Sequence, residues 1–159
     1  MRTASIDLES NNFLPMCDKI HVICCKMDDG EVFPFRNKGG FQSWLMSNNP
    51  ERVVIHNGLG FDLLVLWIVW GMEIEVGRVS RIGEWKGQIV DTCLLSQRLN
   101  PDREGGHSLD NLAKLAGTFK QEYKGGFEEY TPEMEEYCKQ DVNALWEVWK
   151  MLLKEIERL

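Results

Sequence analysis

A chain of 159 residues suits one domain with a sizeable core. Its 43% apolar residues, with six Trp and seven Phe, exclude a disordered tail or linker. A net charge of −7 argues against gripping nucleic acid with basic side chains, and leaves one route open: acidic residues that collect divalent cations, so that metal meets phosphate.

The N-terminus has one Arg, then Ile6, then charge, which is no signal peptide. The longest apolar run, Leu63 to Trp70, is too short to span a bilayer, so no membrane role is expected. Cys17, Cys24, Cys25, Cys93 and Cys138 form no C-x-x-C pair and are odd in number. Neither a disulfide framework nor a zinc cluster is suggested, and the chain reads as a soluble protein of a reducing compartment.

In chain order, Thr3 to Asp7 leads into Asp7-Leu8-Glu9, a short strand whose alternation puts both acids on one face. Lys19 to Lys26 and Glu31 to Phe35 read as two more strands, joined by the turn signal Asp28-Asp29-Gly30. Gly39 to Ser47 is a short helix, ended by Asn48-Asn49-Pro50. Val53-Val54-Ile55-His56 is a buried strand by its β-branched run, broken at Asn57-Gly58-Leu59-Gly60. Phe61 to Trp70 follows as a helix ended by Gly71.

Met72 to Gly87 reads as loop or irregular strand. Within it Trp85 has two readings, a loop tryptophan folded back on the core or a platform for a base. Ile89-Val90 ends a short strand, Asp91 or Thr92 caps a helix to about Leu99, and Ser108 opens another to Leu115. Gly117 to Gly126 connects to the last helix. That helix is well marked, by Thr131 as N-cap, Pro132 at the first position, and Glu133, Glu135 and Glu136 at the positive end of its dipole. Met134, Cys138, Val142, Leu145, Trp149, Leu152 and Ile156 then recur at helical spacing. Three strands in a meander followed by alternating helices and strands imply an α/β fold around a mixed sheet.

Asp7 and Glu9 on one strand face are a like-charged pair that needs a cation to persist as dianions. Asp62 opens a helix after a glycine-rich turn, where helix capping would explain it equally well. Tyr137 and Asp141 lie one turn apart on the same side of the last helix, with Asp141 close to the apolar stripe. A carboxylate there needs a partner, either a nearby Lys or backbone N–H, or a metal.

Taken together these residues resemble the DEDDy 3′–5′ exonucleases, and most closely the proofreading domain of phage-type family A DNA polymerases. Asp7-Leu8-Glu9 matches the first motif of that family, Asp-x-Glu. Asn57-Gly58-Leu59-Gly60-Phe61-Asp62 matches its second, and Tyr137-Cys138-Lys139-Gln140-Asp141 its third, Tyr-x-x-x-Asp. Asp91-Thr92 and the stretch from Leu99 to Leu109 also have the look of the phage group, so the similarity spans nearly the whole chain. The sister group carries a His five residues before the last Asp, and position 136 is Glu136.

The resemblance implies a single RNase H-like exonuclease domain over 1–159, a mixed central sheet flanked by helices with the first strand central. It implies hydrolysis of DNA from the 3′ end by two divalent cations, Mg²⁺ or Mn²⁺, on all-oxygen ligands. Asp7 would bridge both metals, Glu9 and Asp141 would complete the site of the attacking water, and Asp62 would hold the second metal. Tyr137 would orient that water with Glu9, as a hydrogen-bonding group and not a base. Phe13, four residues after Glu9, matches the apolar wedge against the terminal base, though a place in the core suits it too. Asn57 matches a sugar or phosphate contact, Leu8 and Ser10 would offer backbone groups to the terminal nucleotide, and the three His are read as structural. The polymerase that accompanies such a domain does not follow Leu159, so a free-standing nuclease, a proofreading subunit that partners a DNA polymerase, or an excised domain is expected, in bacterial or phage-infected cytoplasm. An exoribonuclease and a silent polymerase-recruiting module are the alternatives.

Overall fold

The computed structural model describes residues 1–119 and 121–159. Its strands are β1 (Thr3–Ser10), β2 (Ile20–Met27), β3 (Val32–Phe35), β4 (Arg52–Ile55), β5 (Ile74–Glu75), β6 (Ser80–Ile82) and β7 (Trp85–Asp91). Its helices are α1 (Lys38–Asn48), α2 (Asp62–Trp70), α3 (Thr92–Leu99), α4 (Leu109–Leu115) and α5 (Pro132–Glu157). The strands form one sheet in the order β3-β2-β1-β4-β7-β6-β5. β1, β2 and β3 are the antiparallel meander read from the sequence, while β4 runs parallel to both β1 and β7. The expected mixed sheet flanked by helices is the one observed, and β1 is internal to it.

Alternation along β1 divides the molecule. Ala4, Ile6 and Leu8 point to one face and join a core with Phe41 and Leu45 of α1 and Leu63, Val65 and Leu66 of α2. Asp7 and Glu9 point to the other, where Cys138 and Val142 of α5 pack on Val22 and Cys24 of β2. Further along that face, Val54 lies under Leu112 of α4 and Leu145, Val148 and Leu152 of α5. Long, doubly fastened α5 thus crosses directly over the acidic half of β1. Its start is the one its sequence announces: Thr131 Oγ1 accepts from Met134 N at 3.1 Å, with Pro132 in the first turn. Near its other end Glu155 takes a two-pronged bond from Arg103 at 2.9 and 2.8 Å, tying the loop before α4 to the helix.

Two readings left open by the sequence are decided in the fold. The stretch from Met72 to Gly87, read as loop or irregular strand, is the latter in regular form: it contains β5, β6 and the start of β7, an antiparallel extension of the sheet. Ile82 pairs with Trp85 across a two-residue turn in which Gly83 takes φ 59°, a conformation that glycine alone adopts without strain. Trp85 is therefore a strand residue, 1% exposed, donating from Nε1 to Pro50 O at 2.8 Å, and it is unavailable to a base. The second point concerns α2, whose apolar surround is compatible either with complete cover by neighbouring layers or with one side left open to a second protein through Trp67 or Trp70. Complete cover is the reading that fails. Only its sheet side is covered: Leu63, Val65 and Leu66 are buried, while Leu64, Trp67 and Ile68 face outward. Trp67 is 58% exposed, and Trp70 is partly buried against Phe41, ring centroids 6.2 Å apart. All five cysteines are free, and no described helix is long and apolar enough to cross a membrane.

Candidate active site

A cavity of about 620 Å³ opens where the acidic end of β1, the start of α2 and the second turn of α5 meet. Asp7, Glu9, Asp62, Tyr137 and Asp141 all line it. Leu8, Ser10 and Phe13 line it too, and Phe13 is 81% exposed, which removes the reading that places it in the core. Asn57 stands outside the lining, on an exposed loop at φ 53°. His56, near the site in sequence, faces Thr92 Oγ1 through Nδ1 at 2.8 Å.

Each acid is delivered by a different device. Asp7 and Glu9 share a strand face and are half-buried, with a register shift after Glu9 that turns the chain outward into the loop bearing Phe13. Asp141 is 3% exposed, one helical turn beyond Tyr137. Asp62 is 6% exposed and is the first residue of α2. It arrives there by a tight loop after β4, in which Gly58 O accepts from Leu63 N at 2.9 Å. A Cβ on Gly58 would run into the Ile55 side chain, so the close approach of loop to strand depends on glycine.

The residue that holds this loop was legible in sequence as a helix cap and as part of the resemblance, but not as the anchor of this loop. Asp91 ends β7 and does cap α3, accepting from Cys93 N at 2.9 Å. The same carboxylate reaches back across the strand ends, accepting from Asn57 N at 2.9 Å and Leu59 N at 3.2 Å. Parallel pairing of Ile55 with Asp91 puts the two loops side by side, which no local pattern reveals.

At Asp62 the electrostatics are those of a buried acid beside a second acid. Burial, and then the Asp91 charge, push the Asp62 carboxyl up to about 8, against the lowering effect of a backbone hydrogen bond. Asp62 Oδ2 is buried and has no hydrogen-bond partner among the described residues. Asp7, Glu9 and Cys138 bring ligand atoms within 4.8 Å of one another. Cys138, read from sequence only as part of an apolar stripe, points its Sγ at Asp7 O (3.5 Å) and Asp7 Oδ2 (3.7 Å). Its burial pushes the thiol well up, so it is a neutral S–H donor beside the carboxylates and the charged donor set is all oxygen. A buried acceptor without a donor and converging carboxylates fit hard divalent cations.

The cavity is also lined by Phe127 and Glu128, from the segment before α5. Phe61 packs edge-on against Phe13 at 6.2 Å, so an aromatic pair stands at the rim. Phe61 belongs to the second motif read from sequence, whereas Phe127 and Glu128 were not singled out, because loop residues carry no periodic signal.

Comparison with protein-family models and with curated proteins finds no match. Solved structures do share the fold. A family B DNA polymerase from Pyrobaculum calidifontis matches with a TM-score of 0.76 at 18% identity, over 96% of this chain. The chain spans only 24% of that polymerase. Brucella melitensis NrnC matches with a TM-score of 0.72 at 19% identity, covering 98% of this chain and 74% of NrnC. Further NrnC structures that match are bound to pGG and to Mg²⁺. The fold of this chain is that of these proteins.

Proposed function

We propose that the protein is a DEDDy 3′–5′ exonuclease that hydrolyses DNA, preferably single-stranded, to 5′-mononucleotides. The observation that carries this is the meeting of Asp7, Glu9, Asp62 and Asp141 with Tyr137 around one open cavity, from three distant stretches of chain. Asp7, Glu9, Asp62 and Asp141 would hold two divalent cations, Mg²⁺ or Mn²⁺. Cations so held supply hydroxide near neutral pH and neutralise charge building on the phosphate. The chain's own part is positioning. Tyr137 and Glu9 orient the attacking water by hydrogen bonding, with the phenol remaining protonated. Phe13, exposed and braced by Phe61, stacks on the terminal base without regard to its identity. Leu8 and Ser10 offer backbone groups at the cavity edge, and Asn57 takes sugar or phosphate from outside it.

A proofreading role beside a DNA polymerase is supported by the likeness to a family B polymerase. The likeness to NrnC, seen also bound to pGG, favours a second reading in which RNA or very short oligonucleotides are cut. Incubation with 5′-labelled single-stranded DNA, RNA and dinucleotides, in Mg²⁺, Mn²⁺ or EDTA, separates these readings. Stepwise shortening of DNA from the 3′ end is expected. Internal cuts, or activity in EDTA, would overturn the proposal, and much faster loss of RNA would select the second reading.

A further inference from the structure

Tyr137 is half-buried at the cavity wall, and the ring packed on it comes from outside its own helix. Tyr123 lies 5.4 Å away between centroids, tilted by 36°. Tyr123 is in turn held at its hydroxyl, which donates to Gly126 O at 2.8 Å and lies 3.3 Å from Oγ1 of Thr131, the cap of α5. A Cβ on Gly125 would run into that hydroxyl, so the turn is cut to fit the ring. Tyr123 also meets Phe127 edge-on, centroids 5.1 Å apart. Phe127 lines the active cavity, and its carbonyl is 2.6 Å from Nε2 of His21, a buried residue of β2. A carbonyl can only accept, so Nε2 carries the proton and donates. The Tyr123–Phe127 turn is thus anchored to the sheet at one end and to the α5 cap at the other.

We propose that Tyr123 is a positioning residue: it sets the Tyr137 ring and couples it to Phe127, the wall against which a terminal nucleotide would rest. This rests on the exonuclease reading above. One aromatic cluster then links occupancy of the cavity to placement of the water-orienting hydroxyl. A ring pair of this kind corresponds to roughly a 3- to 10-fold effect on a rate it controls.

The test is a double-mutant cycle on the full chain with a 5′-labelled single-stranded oligonucleotide. Tyr123→Ala is expected to lower kcat roughly 3- to 10-fold, and Tyr123→Phe to retain most of it. In a Tyr137→Phe background Tyr123→Ala should cost nothing further, since ring placement no longer matters once the hydroxyl is gone. Equal losses in both backgrounds, or a change in KM alone, would overturn the proposal. Tyr123→Leu keeps apolar cover and serves if the alanine variant fails to fold. A second measurement does not depend on activity: ¹⁹F spectra of protein carrying 3-fluorotyrosine, with the Tyr137 signal identified by its loss in Tyr137→Phe. That signal should move in Tyr123→Leu and in Phe127→Ala, and a static signal would overturn the proposal even if the protein cleaves no nucleic acid. A wild-type protein without metal-dependent nuclease activity but with a moving signal would instead overturn the exonuclease reading alone.

Discussion

Asp91 holds the loop that presents Asp62 and at the same time raises the proton affinity of Asp62. Its carboxylate accepts the N–H groups of Asn57 and Leu59, and its charge, with burial, lifts Asp62 to about 8. One acid fixes the position of another and makes it costly to ionise without a cation.

That relationship sets a pH dependence for the metal-free protein. The folded carboxyl of Asp62 binds its proton more tightly than the unfolded one, at about 8 against 3.8. The stability it contributes is fully present below the lower value and is lost as pH rises through the window to the higher. Melting temperature in EDTA should therefore fall from pH 5 to pH 8, and Asp62→Asn should flatten the slope. An equal slope in wild type and variant would show that Asp62 titrates normally.

Truncating Asp91 strips acceptors from part-buried backbone donors on the loop after β4 and in the first turn of α3 at once. Asp91→Ala should lower stability by about 2–4 kcal/mol and sharply reduce activity. Asp91→Asn retains one acceptor oxygen but turns an amide toward one of the donors, so an intermediate loss is expected. Chemical denaturation beside a metal titration checks this: the half-saturating Mn²⁺ concentration should rise in the variant, since Asp62 is no longer well placed.

Divalent metal should act as a native-state ligand and raise the melting temperature at neutral pH. EDTA should abolish nuclease activity, and Asp7→Ala should do so even in excess Mn²⁺. Tyr137→Phe removes one hydroxyl and leaves the carboxylates intact, so a milder loss, about 10- to 100-fold in kcat, is expected from steady-state assays. Metal-independent cleavage by the purified protein would contradict the site as described.

Phe13 is 81% exposed and stands at the rim, so its loss should be felt by substrate and not by the fold. Phe13→Ala should raise KM for single-stranded DNA about 5- to 150-fold, the scale of about 1–3 kcal/mol per stacked base, with the melting temperature unchanged. A drop in stability without a change in KM would place the side chain against the protein instead.

What was legible in the sequence was whatever repeats or punctuates. Thr131-Pro132 announces α5, the β-branched run announces β4, and Asp28-Asp29-Gly30 announces the hairpin from β2 to β3. The three acidic motifs are short and local, and the fold carries all four of their carboxylates to one cavity. β5 and β6 were legible only as loop or irregular strand, because strands of two and three residues are too short to show alternation. The anchoring roles of Asp91 and Tyr123 were missed for a different reason, since each acts across space on a loop or ring far from it in sequence. The exposure of Trp67 was hidden because α2 is apolar all round, so its sequence cannot say which side the sheet covers. Replacing Trp67 with Gln should leave melting nearly unchanged, whereas Trp70→Gln should lower it through loss of the Phe41 contact.

Cys138 touches Asp7 although the two are 131 positions apart in the chain. The acids therefore assemble only when the first strand and the last helix close the longest loop the fold contains between its site elements, a step governed by topology more than by local propensity. A polypeptide interrupted anywhere before α5 can form the meander and still present no complete cluster of carboxylates. Assembly of the four carboxylates is thus expected late in folding, and recovery of the stabilisation by divalent metal after dilution from denaturant should track the slowest tertiary phase, not the appearance of secondary structure.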